Sequence, residues 1–384
     1  MAERKAPRLR ILHLISTLDV GGGEQNLCSL VTSLDRSCFH NMAVSMTTMG
    51  PVGDIIRQNG IEVHALGMPK GLPDPRGILR LGRLVRRFEP DVIHAWMYHA
   101  NLLGLLFMRK RAVVWGIMCS YLDLGKYGLV YGLTVRAGAA LSGLPHAVVA
   151  NSHAGRKIHD DLGYRPRRWE VIPNGFDTDT FRPDPQARSR VRSHLGIPLD
   201  APVIGLIARF DPMKDHSTFF TAVRMLSKAR PDARFLLAGR GVTWENHQIR
   251  QWAGDMERSG RIILMGERPD IPGILPAIDI SCSSSYGEGL PNAIGESMAA
   301  GIPCVVTDVG DSAALVGDTG IVIPPKDPHA LCEALQRLIA AGEDFRTTLG
   351  ERARKRIIEH YSMASMVRSY ETLYGELALP GNHT

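Results

Sequence analysis

Val171-Ile172-Pro173-Asn174-Gly175-Phe176-Asp177-Thr178-Asp179-Thr180-Phe181-Arg182-Pro183-Asp184-Pro185 is rich in Pro, Gly and Asp, residues that close turns and interrupt regular structure. On both sides of it the sequence repeats one pattern, short apolar runs alternating with helical periodicity. Upstream, the runs Leu9–Ile15, Met42–Thr47, Ile61–Leu66, Asp91–Ala95, Ala112–Gly116 and Ala147–Ala150 read as strands. Between them, Glu24–Leu34, Val52–Asn59, Gly77–Phe88 and Ala100–Phe107 read as helices. Downstream the pattern restarts with strands at Pro202–Ala208, Arg234–Ala238, Ile262–Leu264, Ile278–Ser281, Cys304–Thr307 and Ile321–Ile323. Helices are expected at Ser217–Ala229, Leu290–Ala300, His329–Ala341 and Asp344–Tyr361. Such βα alternation indicates parallel sheets covered by helices. The expected fold class is therefore α/β: two Rossmann-like doubly wound domains facing across a cleft. The expected domains are 1–175, 176–365 and a tail, 366–384, that crosses back to the first.

The 384 residues suffice for two such cores and exceed what one ordinary core holds. Positive charge is unevenly placed. Residues 1–185 hold 23 Lys and Arg against 16 Asp and Glu, whereas 186–384 hold 22 against 23. The excess concentrates at Arg80, Arg83, Arg86 and Arg87, at Arg109-Lys110-Arg111, and at Arg165, Arg167 and Arg168. Any one run reads as a solvated helix face. Their shared location suggests an anionic partner for the first domain, with a membrane surface or a phospholipid-linked acceptor ahead of nucleic acid. Gly77–Phe88 and Arg109–Arg111 are the expected peripheral contact with acidic lipid.

The six cysteines form no CxxC pair and several lie in apolar runs, which fits free thiols in a reducing cytosol. Ile11–Ile15 is too short for the apolar core of a signal peptide, and no uncharged stretch reaches bilayer-spanning length. The expected location is cytoplasmic, at the inner face of the cell membrane.

The most informative motif is Gly287-Glu288-Gly289-Leu290-Pro291-Asn292-Ala293-Ile294-Gly295-Glu296. Pro291 suits a first helical turn, and a helix N-terminus offers N–H groups and partial positive charge to a phosphate. Glu288, ahead of the helix, is placed to touch a transferred sugar. Glu296, one turn further in, is placed to accept ribose hydroxyls. Alone, Glu288 reads better as a first-turn dipole partner and Glu296 as a solvated helix residue; together, with glycines on both sides, they favour a site.

The second motif is Arg209-Phe210-Asp211-Pro212-Met213-Lys214, directly after an apolar strand. Two cations on a strand-end loop can grip a diphosphate, Arg as a fork and Lys as a point charge. Gly21-Gly22-Gly23-Glu24 follows the first strand but does not complete GxGxxG, because position 26 is Asn. Weaker candidates are Gly239, ending a strand, and the Gly266–Asp270 turn carrying Arg268. His94 reads as a core histidine, with His99 and Asn101 as the better cleft residues.

These residues, in this order, resemble retaining glycosyltransferases of family 4, with the GT-B fold. The resemblance also takes in Val171–Asp177 and extends over nearly the whole chain. It implies that Arg209 and Lys214 bind the diphosphate of a nucleotide-sugar donor. Glu288 would contact the transferred sugar and Glu296 the ribose. Backbone N–H groups around Gly289, Leu290, Asn292 and Ala293 would cradle phosphate, and Gly22 and Gly23 would approach the donor from the first domain. Transfer would retain configuration, through same-face attack, with no metal and no cofactor beyond the donor itself. The acceptor would be a glycan or a lipid-linked sugar of polysaccharide biosynthesis. In one respect the chain departs from the family. Many relatives carry a histidine shortly after the strand equivalent to Ala112–Gly116, where this chain reads Gly116-Ile117-Met118-Cys119-Ser120-Tyr121. Cys119, Ser120 or His99 is then left to fill that place. The departure keeps two alternatives open: a non-catalytic nucleotide-sugar-binding partner of another transferase, and a GT-B epimerase.

Overall fold

The apolar runs of the first half pair side by side, all parallel, into one seven-stranded sheet. Its strands are β1 (Leu9–Ile15), β2 (Phe39–Ser45), β3 (Glu62–Ala65), β4 (Val92–Trp96), β5 (Ala112–Ile117), β6 (Ala147–Ala150) and β7 (Trp169–Val171), in the order β3-β2-β1-β4-β5-β6-β7. Helices α1 (Gly22–Ser33), α2 (Gly50–Gln58), α3 (Pro75–Phe88), α4 (Tyr98–Gly104), α5 (Leu129–Leu141) and α6 (His153–Asp161) connect them. This computed structural model describes residues 8–69, 71, 74–119 and 128–378. By its internal contacts the chain divides into two units, one running to Gly175 and resuming at Met363, the other spanning Phe176–Ser362.

Helix α3 shows how the sequence sets these elements. Asp74 caps it by accepting the Arg76 N–H at 3.0 Å, and Pro75 fills the first turn, where an N–H would lack a helical partner. Leu81, Val85 and Phe88 are buried on one face, and the arginines occupy the other. The central strands β4 and β5 are buried along their whole length, as parallel strands covered on both faces must be.

The second unit has its own six-stranded parallel sheet, in the order β10-β9-β8-β11-β12-β13. The strands are β8 (Val203–Ile207), β9 (Arg234–Ala238), β10 (Ile262–Leu264), β11 (Ile280–Ser283), β12 (Cys304–Thr307) and β13 (Gly320–Ile323). Its helices are α7 (Pro185–His194), α8 (His216–Ala229), α9 (His247–Ala253), α10 (Ile271–Ile274), α11 (Asn292–Ala299), α12 (Ser312–Val316), α13 (Pro328–Ala340) and α14 (Gly342–His360). A last helix, α15 (Met363–Leu377), returns to the first unit, so the second unit ends at Ser362 rather than 365. One face of α15, with Met366, Tyr370, Leu373 and Tyr374, is buried in the core that also holds Ile11 and Trp96.

That core contains His94, whose Nδ1 lies 2.7 Å from the Tyr374 hydroxyl. Burial holds its pKa well below the ordinary histidine value. Asn101, expected in a cleft, is also interior: it is 1 % exposed and donates to the Gly116 carbonyl at 3.3 Å. Its position in the middle of α4, against β5, turns its amide inward.

Each sheet reverses its strand order once, between β1 and β4 in the first unit and between β8 and β11 in the second. In open α/β sheets ligands bind at such switch points, outside the carboxyl ends of the strands.

Candidate active site

At the switch point of the second unit the loops that follow β8 and β11 are stitched together. The first folds into a short 3₁₀ turn, Pro212–Lys214. Asp211 opens it by accepting the Met213 N–H at 2.9 Å. Asp215 closes it with φ 46°, a left-handed conformation that costs a non-glycine residue about 1–2 kcal/mol. Hydrogen bonds offset that strain: the Asp215 carboxylate caps α8, accepting the Thr218 N–H at 3.2 Å and the Ser217 and Thr218 hydroxyls at 2.7 Å each. From the other loop, the Ser284 hydroxyl lies 2.9 Å from the Lys214 carbonyl and 3.0 Å from that of Asp215. The Tyr286 N–H donates to the Met213 carbonyl at 2.9 Å. The backbone of Lys214 is thereby pinned from both sides.

Its side chain reaches Glu288, with Nζ 2.5 Å from Oε1, and the Ser285 hydroxyl donates to the same oxygen at 2.6 Å. The side chains of Lys214 and Glu288 are only 18 % and 10 % exposed, so the pair lies where charge interactions are less screened than at a surface. The guanidinium of Arg209 is held by Asp211, with Nε at 3.2 Å and Nη2 at 3.1 Å, and stays half exposed. Burial alone would raise the Asp211 pKa. The Met213 N–H and the Arg209 guanidinium outweigh it and hold the carboxyl below the usual range.

Glu288 stands just ahead of α11, where the Ile294 and Gly295 N–H groups donate to the Pro291 carbonyl at 3.1 and 3.2 Å and the helix presents the positive end of its dipole. Pro291 is the cap residue, with φ −75° and ψ 100°, one position before the helical turn expected for it. A recess of about 40 Å³ lies at this helix end, lined by Lys214, Ser285, Glu288, Asn292 and Ala293 among others. The loop after β12 supports it. Asp311 donates its N–H to the Gly289 carbonyl at 2.8 Å. Gly310, at φ 58°, lies so close that a Cβ there would meet the Glu288 carbonyl oxygen at 2.2 Å. Ala, let alone a larger residue, would push the Glu288 peptide out of place.

Glu296 lies four residues beyond Asn292, about 6 Å along the helix axis. Part of its surface reaches solvent, yet protein surrounds its carboxyl and burial pushes the pKa up to about 7. Gly239 and Arg268 do not join the Lys214–Glu288 group. Gly239, at φ 154°, packs against the loop after β8, where a Cβ would sit 2.0 Å from the Ala208 carbonyl oxygen. Its glycine is explained by that crossing. Arg268 spends its guanidinium on its own neighbour Asp270, at 2.8 and 2.7 Å. Asp211, Asp215, Ser284 and Ser285 hold the loops and the Lys214–Glu288 pair in place, a part that motif reading passes over. Their signal is the Asp-Pro pair at 211–212 and a strand end of consecutive buried serines, whose hydroxyls must find partners.

In the first unit, Gly22 and Gly23 open α1 at the end of the loop after β1. A Cβ at Gly22 would meet nothing within 4 Å, so packing within the chain does not demand glycine there. Gly23 and Asn26 border Met118, whose Sδ is 3.6 Å from the Asn26 amide nitrogen. Met118, next to the Cys119 position where the resemblance implies a histidine, thus abuts the glycine turn; Ser120 lies outside the described residues. His99 sits elsewhere, on α4, with Nε2 3.5 Å from the Thr134 hydroxyl, and burial lowers its pKa. Among the described residues no three His, Cys, Asp or Glu side chains are grouped as a metal site requires.

Comparison with known proteins gives the same division. Residues 20–180 match the family model described as Glycosyltransferase Family 4, and residues 201–341 that described as Glycosyl transferases group 1. The chain is 24% identical over 322 residues to the Escherichia coli UDP-Gal:alpha-D-GlcNAc-diphosphoundecaprenol alpha-1,3-galactosyltransferase, covering 80% of this chain and 81% of that one. It is 28% identical over 356 residues to the putative glycosyltransferase EpsF of Bacillus subtilis (strain 168), covering 89% and 91%. Among solved structures, HepE of Anabaena in complex with UDP superposes with a TM-score of 0.83 at 22% identity, over 96% of this chain and all of that one. At that identity the likeness speaks for the fold.

Proposed function

The chain belongs to the family 4 glycosyltransferases of GT-B fold, and from that premise we propose that it moves a sugar from a nucleoside diphosphate to a glycan or lipid-linked acceptor, with retained configuration. The observation that carries this reading is the Lys214–Glu288 pair, seated at the N-terminus of α11 with Arg209 on the adjoining loop. In the proposed reaction the acceptor hydroxyl attacks the anomeric carbon from the face the diphosphate leaves. The bond from carbon to phosphate oxygen breaks, the bond to acceptor oxygen forms, and the hydroxyl proton passes to the departing phosphate. Negative charge grows on that phosphate. Lys214, Arg209 and the α11 N–H groups lie ready to stabilise it, and fixed dipoles do so without reorganising. Two protein cations supply this charge, which is why we propose a reaction independent of added metal.

The acceptor is assigned to the first unit and the donor to the second. UDP-sugars are the first donors to assay, because two of the proteins compared above are named with UDP or a UDP-sugar. The purified chain, given a labelled UDP-sugar and a membrane extract, is expected to move label into the acceptor fraction with or without EDTA, and the product's anomeric proton coupling should match the donor's. Conversion of the donor without any acceptor would favour the epimerase reading, and donor binding without turnover the binding-partner reading.

Glu296 adds a pH dependence. Its folded pKa of about 7 lies above the ordinary carboxyl value of 4.5, so the folded state favours the protonated form. In the free protein this group's contribution to stability falls as pH rises from 4.5 through 7. Ribose hydroxyls donate to a carboxylate and so favour the ionised form. Nucleotide binding should therefore expel a proton near pH 7, and UDP affinity should rise with pH up to that value and then level off. Calorimetric titration in buffers of different ionisation enthalpy measures the release. Glu296→Gln should abolish both the release and the pH dependence; an unchanged profile in that variant would place the titrating group elsewhere.

A further inference from the structure

The first unit contains an apolar cavity of about 590 Å³ at the carboxyl ends of β1 and β2, between α3, α4 and α5. The volume is that of a ligand pocket, roughly 300–1,000 Å³. Met46, Met68, Ile78 and Leu102 form much of its wall, and its few polar groups include Ser16, Thr47 and His99. A glycan, which needs a hydrogen-bonding partner for most hydroxyls, would find few here.

The surface around the cavity is apolar as well. Helix α5 carries one charged residue, Arg136, in thirteen. It buries Val135 and Gly138 but leaves Leu129, Val130 and Leu133 exposed at 88 %, 51 % and 62 %. A helix in water ordinarily turns polar residues outward. Leu106, on the turn that follows α4, and Leu79, on α3, are each 62 % exposed. Val130 and Leu106 line the cavity and face solvent at once, so the apolar interior continues onto the surface at its mouth. Apolar patches of this kind on a folded surface mark a binding site for an apolar partner. Exposed cations lie on the same elements: Arg76 and Arg83 on α3, and Arg109 and Lys110 shortly after Leu106 in sequence. An apolar cavity with an apolar mouth is complementary to a hydrocarbon chain.

We infer that this cavity takes the first part of the hydrocarbon chain of a lipid-linked acceptor, with the acceptor's phosphate head left outside the apolar mouth. The inference rests on the assignment of the acceptor to this unit. A second protein chain would match the leucines but would leave the cavity unfilled. A bilayer surface alone would use the leucines and cations but not the interior.

The test uses the full chain without any sugar donor, titrated with inorganic diphosphate, geranyl diphosphate and farnesyl diphosphate. Affinity should rise at least tenfold for the added isoprene unit, as burial of further methylenes requires. Leu106→Asp combined with Val130→Asp, both surface positions, should remove that dependence on chain length while UDP binding stays as in the wild type. Equal affinity for inorganic and farnesyl diphosphate, or an unchanged chain-length dependence in the double variant, overturns the proposal. So does sedimentation with anionic vesicles by a protein that binds no monomeric farnesyl diphosphate, since that describes a membrane contact without a chain site. UDP titration of the same sample reports separately on the donor reading, so either can fail while the other stands.

Discussion

Lys214→Ala and Glu288→Ala should each lower the transfer rate about 10²–10³-fold, the usual effect of removing one group that stabilises charge in a transition state. The two side chains share a half-enclosed recess, and each is the other's ion partner at 2.5 Å. Removing Lys214 takes away positive charge where the leaving diphosphate is proposed to lie. It also leaves Glu288 with the Ser285 hydroxyl on that oxygen and without its lysine. Removing Glu288 frees Lys214 to swing. Because the pair acts as a unit, the double variant should lose little more than either single one. Arg209→Ala should cost less, since that guanidinium is half exposed and already engaged by Asp211. The backbone of the loop is fixed by Ser284, Tyr286 and the Asp215 cap rather than by the ion pair, so folding should survive. Initial rates alongside circular dichroism test this: a folded variant with wild-type turnover removes the pair from the chemistry.

The parts of this protein that sequence reveals are those whose pattern is local. Strands such as Arg234–Ala238 and Cys304–Thr307 stand out because a short, uninterrupted apolar run flanked by turn residues fits a buried strand and little else. Helix α5 does not, because it is apolar on nearly every side and so lacks the alternation that identifies a surface helix. Strand β7 has three residues and borders a turn-rich link, too short to carry a period. Helix α15 reads as a tail until its buried face, Met366, Tyr370 and Tyr374, finds the first unit's core. The site follows the same rule. Arg209, Lys214, Glu288 and Glu296 lie in two compact motifs and can be named. That Lys214 meets Glu288 across 74 residues of chain depends on β8 and β11 being neighbours. Histidines and asparagines are the hardest to place: His94, His99 and Asn101 lie close together in sequence, yet one is core, one lines a cavity and one is a buried hydrogen-bond donor.

Gly295 shows why a glycine inside a ligand-binding motif need not serve the ligand, and its replacement should destabilise the second unit. It lies mid-helix in α11, where a glycine costs roughly 1 kcal/mol relative to Ala unless something requires it. What requires it is Phe176, the first residue of that unit, whose ring lies against the helix backbone: a Cβ on Gly295 would stand 2.0 Å from Cζ and 2.4 Å from both Cε atoms. The ring cannot easily retreat. Phe176 is 4 % exposed in a core with Ile294 and Met298, and its N–H donates to the Tyr361 carbonyl at 2.8 Å. Gly295→Ala therefore trades a helix-propensity gain for overpacking, a loss of about 1–3 kcal/mol. For a unit of this size each kcal/mol lowers the melting temperature by roughly 2–4 °C. Gly295→Val should lose more. Phe176→Leu, which shortens the ring's reach, should recover part of the loss when combined with Gly295→Ala, although alone it destabilises through lost packing. Thermal melts of the two single variants and the double variant give the coupling directly. Strict additivity of the two losses would mean that the helix and the ring do not meet, and the glycine would then need a ligand to explain it.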